Sequence, residues 1–399
     1  MNKPTNQEQS EPEIVCMTNS IKIFRFYGIF PPRGKLVNPG KTFYVKFALI
    51  AAAASPILIG SALHLIKNIN DHSFNRTELD ITYIVSMSAG YGLICSYFTK
   101  VSTAVRLYAG LSNFQRFEKP IDFDETNGKY NKYAVLHYCY LQCIVACILI
   151  GSNVFKAGAC REENETKGLS EVCGLFAYTW LPFDVDFFPA KQLYVFSQLF
   201  GADYVYMISG LAAWTVMESV EHLAVRIRHV SRLFDGALKE PDPCIRRNMF
   251  RKAVEYHKFV LSLESQLNET FNVFMFTHMV MTAPIIGYGF YAYIKSGTLA
   301  SLLLAIGWLN GLFMDCRSGQ RLQDESDLLA MGLYRANWLD CEIDLKRDIV
   351  FVLMRCKRRM VLRAASFGIM NHPMFLAVLK AAYSYVALMK QKENRNTSV

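Results

Sequence analysis

No two of the chain's eleven cysteines are spaced C-x-x-C, and none has zinc-ligand spacing. There is also no histidine cluster, no working carboxylate pair and no nucleophile motif. Nothing therefore points to an enzyme, and neither a metal nor a cofactor is expected. The internal repeats expected of many transporters are absent. Up to about Cys16 the chain is polar, with no apolar core and no cleavage site, so no signal peptide is expected and targeting falls to the first apolar block. The net charge of +9 does not describe a nucleic-acid surface, because lysine and arginine fall between apolar blocks and not along one soluble face.

Apolar residues are what the chain has in excess, at 52%. They gather into seven blocks near the ~20 residues that a helix needs to cross a bilayer. The blocks fall at about 43–66, 81–99, 133–155, 193–217, 271–294, 298–314 and 374–389. Lysine and arginine give the orientation. The segments before block one and after blocks two, four and six hold 6, 6, 9 and 10 of them, whereas those after one, three and five hold 2, 4 and 1. The positive-inside rule then places the N-terminus in the cytoplasm. The expected fold is an all-α, seven-transmembrane helical membrane protein with a cytoplasmic segment at 1–41, a bundle at 42–389 and a short outside tail at 390–399. The patch 21–30 reads as an interfacial helix.

Block four runs without a breaker into 214–234, where Val216, Val220, Leu223, Ile227, Val230 and Leu233 recur at helical spacing. Pro241 and Pro243 end that helix, and a second one rises from about Ile245 into block five. Segments 214–270 and 316–365 therefore form a helical mass inside the cell. Glu218, Glu221 and His222 read as solvated or intersubunit contacts. Asp324, Glu325 and Asp327 beside Arg317 and Arg321 read as an exposed ion-pair network. Outside, Cys160 and Cys173 lie where oxidation is permitted and are candidates for a disulfide, two free thiols being the alternative. Asn75 and Asn164 are candidate glycosylation sites, and Asn268, on the inside, is expected to be unmodified. Cys139, Cys143 and Cys147 form one helical stripe that reads as small packing residues.

The last third of the chain resembles the insect odorant receptor family. The resemblance rests on 259–264 (FVLSLE) with Phe271-Asn272, and on 316–326 (CRSGQRLQDES) with Tyr334 and Trp338. It rests also on 363–367 (RAASF) before Phe375, Lys380, Tyr383-Ser384-Tyr385 and Leu388, and on Gly28-Ile-Phe-Pro-Pro near the start. No long insertion of the co-receptor kind interrupts the second cytoplasmic loop, so the chain looks like a tuning receptor. A gustatory-type receptor channel is the alternative. A G-protein-coupled receptor fits poorly, since the orientation is reversed and block seven lacks Asn-Pro-x-x-Tyr.

The resemblance implies a ligand-gated non-selective cation channel, a heteromeric tetramer with the odorant co-receptor, in the plasma membrane of olfactory neuron dendrites. The cytoplasmic helices would form an anchor domain between subunits, with Tyr334 and Trp338 in the contact. Block seven would line the pore, with Val378 at a hydrophobic gate and Ala382 and Tyr385 on the same face. A small volatile ligand would bind among apolar and aromatic side chains in the outer half of the bundle. The candidates there are Tyr83, Met87, Ile148, Ser152, Phe196 and Tyr291. Membrane lipid is the remaining expected partner, and nucleic acid is not one.

Overall fold

A computed structural model describes residues 13–36, 39–70, 77–151, 156–168, 171–297 and 299–397. Among them are twelve α-helices and one two-stranded hairpin: α1 Thr18–Phe26, α2 Lys41–Ala53, α3 Pro56–Asn70, α4 Thr77–Thr99, α5 Val101–Ser112, α6 Phe123–Ile150, α7 Lys156–Lys167, α8 Ala190–Lys239, α9 Pro243–Ser296, α10 Leu299–Arg335, α11 Ile343–Cys356, β1 Arg363–Ala364, β2 Gly368–Ile369 and α12 His372–Thr397. The seven spans are α2 with α3, then α4, α6, α8, α9, α10 and α12. Five of these stretches are long and apolar enough to cross a membrane on composition alone. The other two, α8 and α12, carry polar groups such as Gln198, Asp203, Lys380 and Ser384 that lower their hydropathy.

The first span is two helices where the sequence suggested one. Pro56 has no N–H to offer the Ala52 carbonyl, and Ser55 supplies both its own N–H (3.1 Å) and its hydroxyl (2.7 Å) instead. At the other extreme, α8 and α9 run unbroken for 50 and 54 residues, roughly 75–80 Å each, through membrane and cytoplasm alike. Only Glu240–Asp242 separate them. Asp242 caps α9 by accepting from the Cys244 and Ile245 N–H groups at 2.8 and 3.0 Å, and Pro243 occupies the first turn.

The cytoplasmic mass is tied together from the α8 side. Arg226, fully buried, donates to the Leu111 and Asn113 carbonyls (2.8 and 3.0 Å) and to the Tyr256 hydroxyl (3.1 Å). Its guanidinium also lies over the Phe114 and Phe259 rings. An ion network then runs from Asp122 through Arg232 and Arg228 to Glu325, Arg321 and Glu221. The paired Arg232 guanidinium holds the Asp122 carboxyl below its usual range. Glu325 is buried, so this network is not the exposed set that the sequence suggested, and Arg317 stands outside it.

Glu218 and His222 are likewise buried, not solvated. They are covered by α1 and by the start of α6, which lie far away in sequence. Ser20 of α1 donates to Glu218 Oε2 at 2.7 Å, and the His222 ring packs on Phe123. Helix α1 is thus docked into the bundle, with Ser20, Ile21 and Phe24 buried; just past its end, Tyr27 donates to Asp203 at 2.8 Å. It is not a helix lying on the membrane surface.

Further differences lie near the C-terminus. The segment 316–365 is not continuously helical: α10 ends at Arg335, α11 follows, and the chain then turns through the β1–β2 hairpin. Asn268 holds that turn to α9, donating to the Val361 carbonyl (2.9 Å) and accepting from the Arg363 N–H (2.8 Å). Gly319 lets the chain pass close beside α10, because a Cβ there would collide with the Met370 carbonyl oxygen. The residues expected to form a tail after 389 continue α12 to Thr397.

Two buried cytoplasmic histidines make stability depend on pH. Burial pushes His222 down to about 3 and His257 down to about 4, in each case with a nearby arginine adding to the effect. The unfolded chain then binds protons first as pH falls, so this stability is whole above about pH 6.5 and drains away below it. Thermal unfolding in detergent should show a midpoint that falls between pH 7 and pH 5, by up to about 2 kcal/mol for each histidine at pH 5. His222→Met should flatten part of that slope.

Candidate functional site

Four spans line an apolar cavity of about 70 Å³ at mid-depth of the bundle, partly open to its outside. Its wall comes from Leu93 on α4, Leu141 to Ile148 on α6, Tyr206 to Ala213 on α8 and Leu303 to Gly311 on α10, with His278 of α9 at one side. Three polar groups on this wall belong to two hydrogen-bonded units. In the first, the Trp308 indole N–H donates to Ser86 Oγ (3.0 Å), which donates in turn to the Tyr206 hydroxyl (3.2 Å). Tyr206 is thereby held as an acceptor, and its own proton has no acceptor among the described residues. In the second, His278 Nδ1 lies 2.7 Å from Asp315 Oδ2, with Asp315 fully buried. Nδ1 is thus committed to Asp315, and Nε2 is the ring atom left to bond at the cavity. The site therefore offers a phenol proton and one ring nitrogen in apolar surroundings, which suits a small, mostly hydrocarbon guest bearing one oxygen.

The outer end is closed by loop 176–180. Gln198 of α8 is fully buried and accepts from the Phe176 and Ala177 N–H groups (2.9 and 3.3 Å). Its amide nitrogen donates to the Ala177 carbonyl (3.2 Å) and to Thr179 Oγ1 (3.0 Å). Above the loop lies a larger polar hollow of about 570 Å³ beside His64, Lys67, Tyr178 and Trp180.

Helix α12 packs on α9 and α10. Val378 and Ala382 are buried against the bundle, at 6% and 3% exposure. Gly287 of α9 makes this approach possible, since a Cβ there would stand 2.7 Å from the Tyr385 Cβ. On α10, Phe313 meets Phe375 edge-on at 5.4 Å. Leu376, Tyr383 and Leu388 remain exposed, Tyr383 at 76%, and Lys380 is exposed with them.

A family model described as "7tm Odorant receptor" matches residues 84–383. The chain belongs to the odorant receptor family. It is 25% identical over 166 residues to odorant receptor 85c of Drosophila melanogaster, covering 41% of this chain and 43% of that protein. It is 28% identical over 152 residues to the odorant receptor coreceptor of Aedes aegypti, covering 36% of this chain and 32% of that one. The match thus spans roughly two fifths or less of the length of these curated relatives. In fold the receptor is similar to the insect olfactory receptor OR5 from Machilis hrabei in complex with eugenol. The TM-score is 0.71 at 11% identity, over 94% of this chain and 97% of that one.

The sequence-expected residues of the receptor do not converge on one place. Ile148 alone among the expected ligand contacts lines the cavity. Phe196 points outward at 68% exposure. Tyr83 donates to the Phe176 carbonyl (3.3 Å), so it holds the outer loop, and Met87 is buried off the cavity wall. Tyr291 is half-buried and does not line the cavity, and Ser152 lies outside the described residues. The cavity is also deeper than the outer half expected for it.

Of the residues expected on the pore face, Val378 and Ala382 are buried against the bundle, on the side of α12 that meets α9, and Tyr385 is 43% exposed. Tyr334 is exposed at the end of α10, whereas Trp338 is partly buried and donates to the Tyr334 carbonyl at 3.1 Å. The structure joins Cys160 and Cys173 in a disulfide. The Asn164 amide nitrogen donates to the Glu171 carbonyl at 2.7 Å. Asn75 lies outside the described residues.

Sequence reasoning missed His278, Asp315, Tyr206 and Trp308. Ionisable groups inside spans were the available signal, because they are costly there unless they have work to do. Ser86→Ala would leave the Trp308 N–H buried without an acceptor, at a cost of about 1–3 kcal/mol. Adding Trp308→Phe should recover most of the loss, as read from thermal unfolding of the single and double variants.

Proposed function

We propose that the receptor is a tuning subunit of a ligand-gated, non-selective cation channel. In this reading a small volatile molecule with one hydrogen-bonding oxygen binds in the α4–α6–α8–α10 cavity. The observation that carries the reading is the cavity itself: an apolar site whose Tyr206 proton and His278 Nε2 remain available to a guest. The Machilis hrabei receptor OR5, similar in fold and in complex with eugenol, supports the same ligand class. The three-residue link between α8 and α9 supports a tuning role over that of a co-receptor.

Binding would reach the pore through the helices that the cavity and α12 share. His278 and Gly287 stand on α9, and Asp315 and Phe313 on α10, so a shift at the His278–Asp315 pair would move both surfaces that hold α12. The pore would be lined by the face of α12 left free in one chain, with Leu376, Lys380, Tyr383 and Leu388. Subunits would meet through the cytoplasmic apolar surface, where Leu339, Ile343, Phe351 and Met354 all stay exposed beside Tyr334. A co-receptor subunit is the proposed partner, in a tetramer at the plasma membrane of olfactory neurons.

Oocytes expressing the chain with a co-receptor should pass odorant-gated current, and those expressing it alone should not. Tyr206→Phe should raise the half-maximal concentration for carbonyl- or ether-bearing odorants about five- to tenfold, the worth of one hydrogen bond, and leave hydrocarbon odorants unchanged. An equal shift for every odorant would reject the donor role.

The pore face can be read separately. Tyr383→Ala should change the reversal potential under mixed cations. Val378→Ala should instead lower the amount of folded receptor, by the roughly 1–2 kcal/mol of two lost buried methyl groups, at an unchanged reversal potential. The opposite pattern would restore Val378 to the pore.

A further inference from the structure

Where α6, α8 and α10 leave the membrane on the cytoplasmic side, they leave a groove of about 730 Å³ open to the outside of the bundle. Its two ends differ in chemistry. Toward the membrane it is walled by Leu136 and Phe313, both exposed large apolar side chains. Toward the cytoplasm it is bordered by Lys129 and Arg317, both exposed. Tyr130 and Tyr133 stand between, and the Lys129 ammonium lies over both rings at 6.0 and 5.9 Å.

The two cations have no carboxylate partner among the described residues. The nearby acid on this wall, Glu221, is already matched by Arg321 at 3.7 Å, and Arg321 is itself bonded to Glu325 at 2.9 Å. The groove thus carries a surplus of positive charge at its cytoplasmic end, over an apolar slot toward the spans.

We propose that this groove binds an anionic phospholipid of the cytoplasmic leaflet. Its headgroup would sit between Lys129 and Arg317, and its chains would lie along Leu136 and Phe313. Two unpaired cations close together favour a lipid with net negative charge over a zwitterionic one. Tyrosines at the membrane–water boundary suit the same position, their rings against the chains and their hydroxyls toward the headgroup. The proposal does not depend on the ligand or gating assigned above.

The test uses the full chain purified in nonionic detergent and equilibrated with equimolar phosphatidylserine and phosphatidylcholine, with retained lipid counted by native mass spectrometry. The receptor should retain phosphatidylserine in clear preference. Each basic side chain is worth about fivefold in affinity near an anionic headgroup. Lys129→Gln with Arg317→Gln should therefore bring the two lipids to near parity. Arg116→Gln, which removes an exposed cytoplasmic arginine away from the groove, should leave the preference unchanged.

Equal retention of both lipids by the unsubstituted chain would overturn the proposal. So would an undiminished preference in the double variant, or an equal loss in Arg116→Gln. Displacement of phosphatidylserine by millimolar inorganic phosphate, beyond that by chloride at equal ionic strength, would assign the two cations to free phosphate and reject the lipid.

Discussion

A guanidinium with no carboxylate beside it sits at the centre of the cytoplasmic half. Arg226 cannot lose its proton, and burying its charge is tolerable only because its bonds and its two aromatic faces replace much of the water. Those partners come from two places: the end of α5 with the link after it, which supplies Leu111, Asn113 and the Phe114 ring, and α9, which supplies Tyr256 and the Phe259 ring. Satisfying one side chain thus fixes where α5, α8 and α9 stand relative to one another. Neutral truncation at this position would leave two carbonyls and a phenol facing a void. Replacement by lysine would supply the charge without the planar fork that reaches the Leu111 and Asn113 carbonyls together.

That fixed point matters because α8 and α9 are continuous rods. A helix without a break transmits a tilt along its whole length, so the cavity wall at Tyr206–Ala213 and the cytoplasmic surface near Arg226 belong to one mechanical element. The same holds for α10, which carries Trp308 at the cavity, Asp315 below it, and Glu325 in the cytoplasmic ion network. Pinning the cytoplasmic ends of these helices leaves their membrane ends as the parts free to adjust. On the proposed function, bundle motion on ligand entry would then be concentrated between the His278–Asp315 pair and the surface where α12 docks.

What could be read from the sequence follows from which forces leave a periodic or compositional trace. The membrane imposes length and charge asymmetry, so the spans and their direction were legible, as was the helical extension of α8. Contacts between segments far apart in sequence leave no such trace. Glu218 and His222 look like the wet side of an amphipathic helix until α1, some two hundred residues earlier, is laid over them. Block seven is apolar on every side, so periodicity sorts its residues into faces without saying which face meets α9. Val378 and Ala382 were therefore assigned to the pore face, where the fold of one chain buries them against the bundle. Phe196 fails similarly, because an aromatic facing lipid and one facing a ligand look alike in a sequence. The pairing of His278 with Asp315 spans 37 residues and two helices, and only the fold brings it together.

The cost of that pair also explains where the cavity lies. A carboxyl group in the dry interior needs a partner, and one oxygen of Asp315 has no hydrogen bond among the described residues. An apolar junction of the same volume would hold α9 against α10 at least as firmly, so stability alone does not favour this arrangement. The pair differs from an apolar junction in being directional. It fixes the imidazole ring and the position of its free nitrogen, and any guest that bonds to Nε2 pulls on the contact between the two helices that carry α12. A ligand whose oxygen bonds to that nitrogen would then find, at one atom, both the group that orients it and the joint that its binding disturbs.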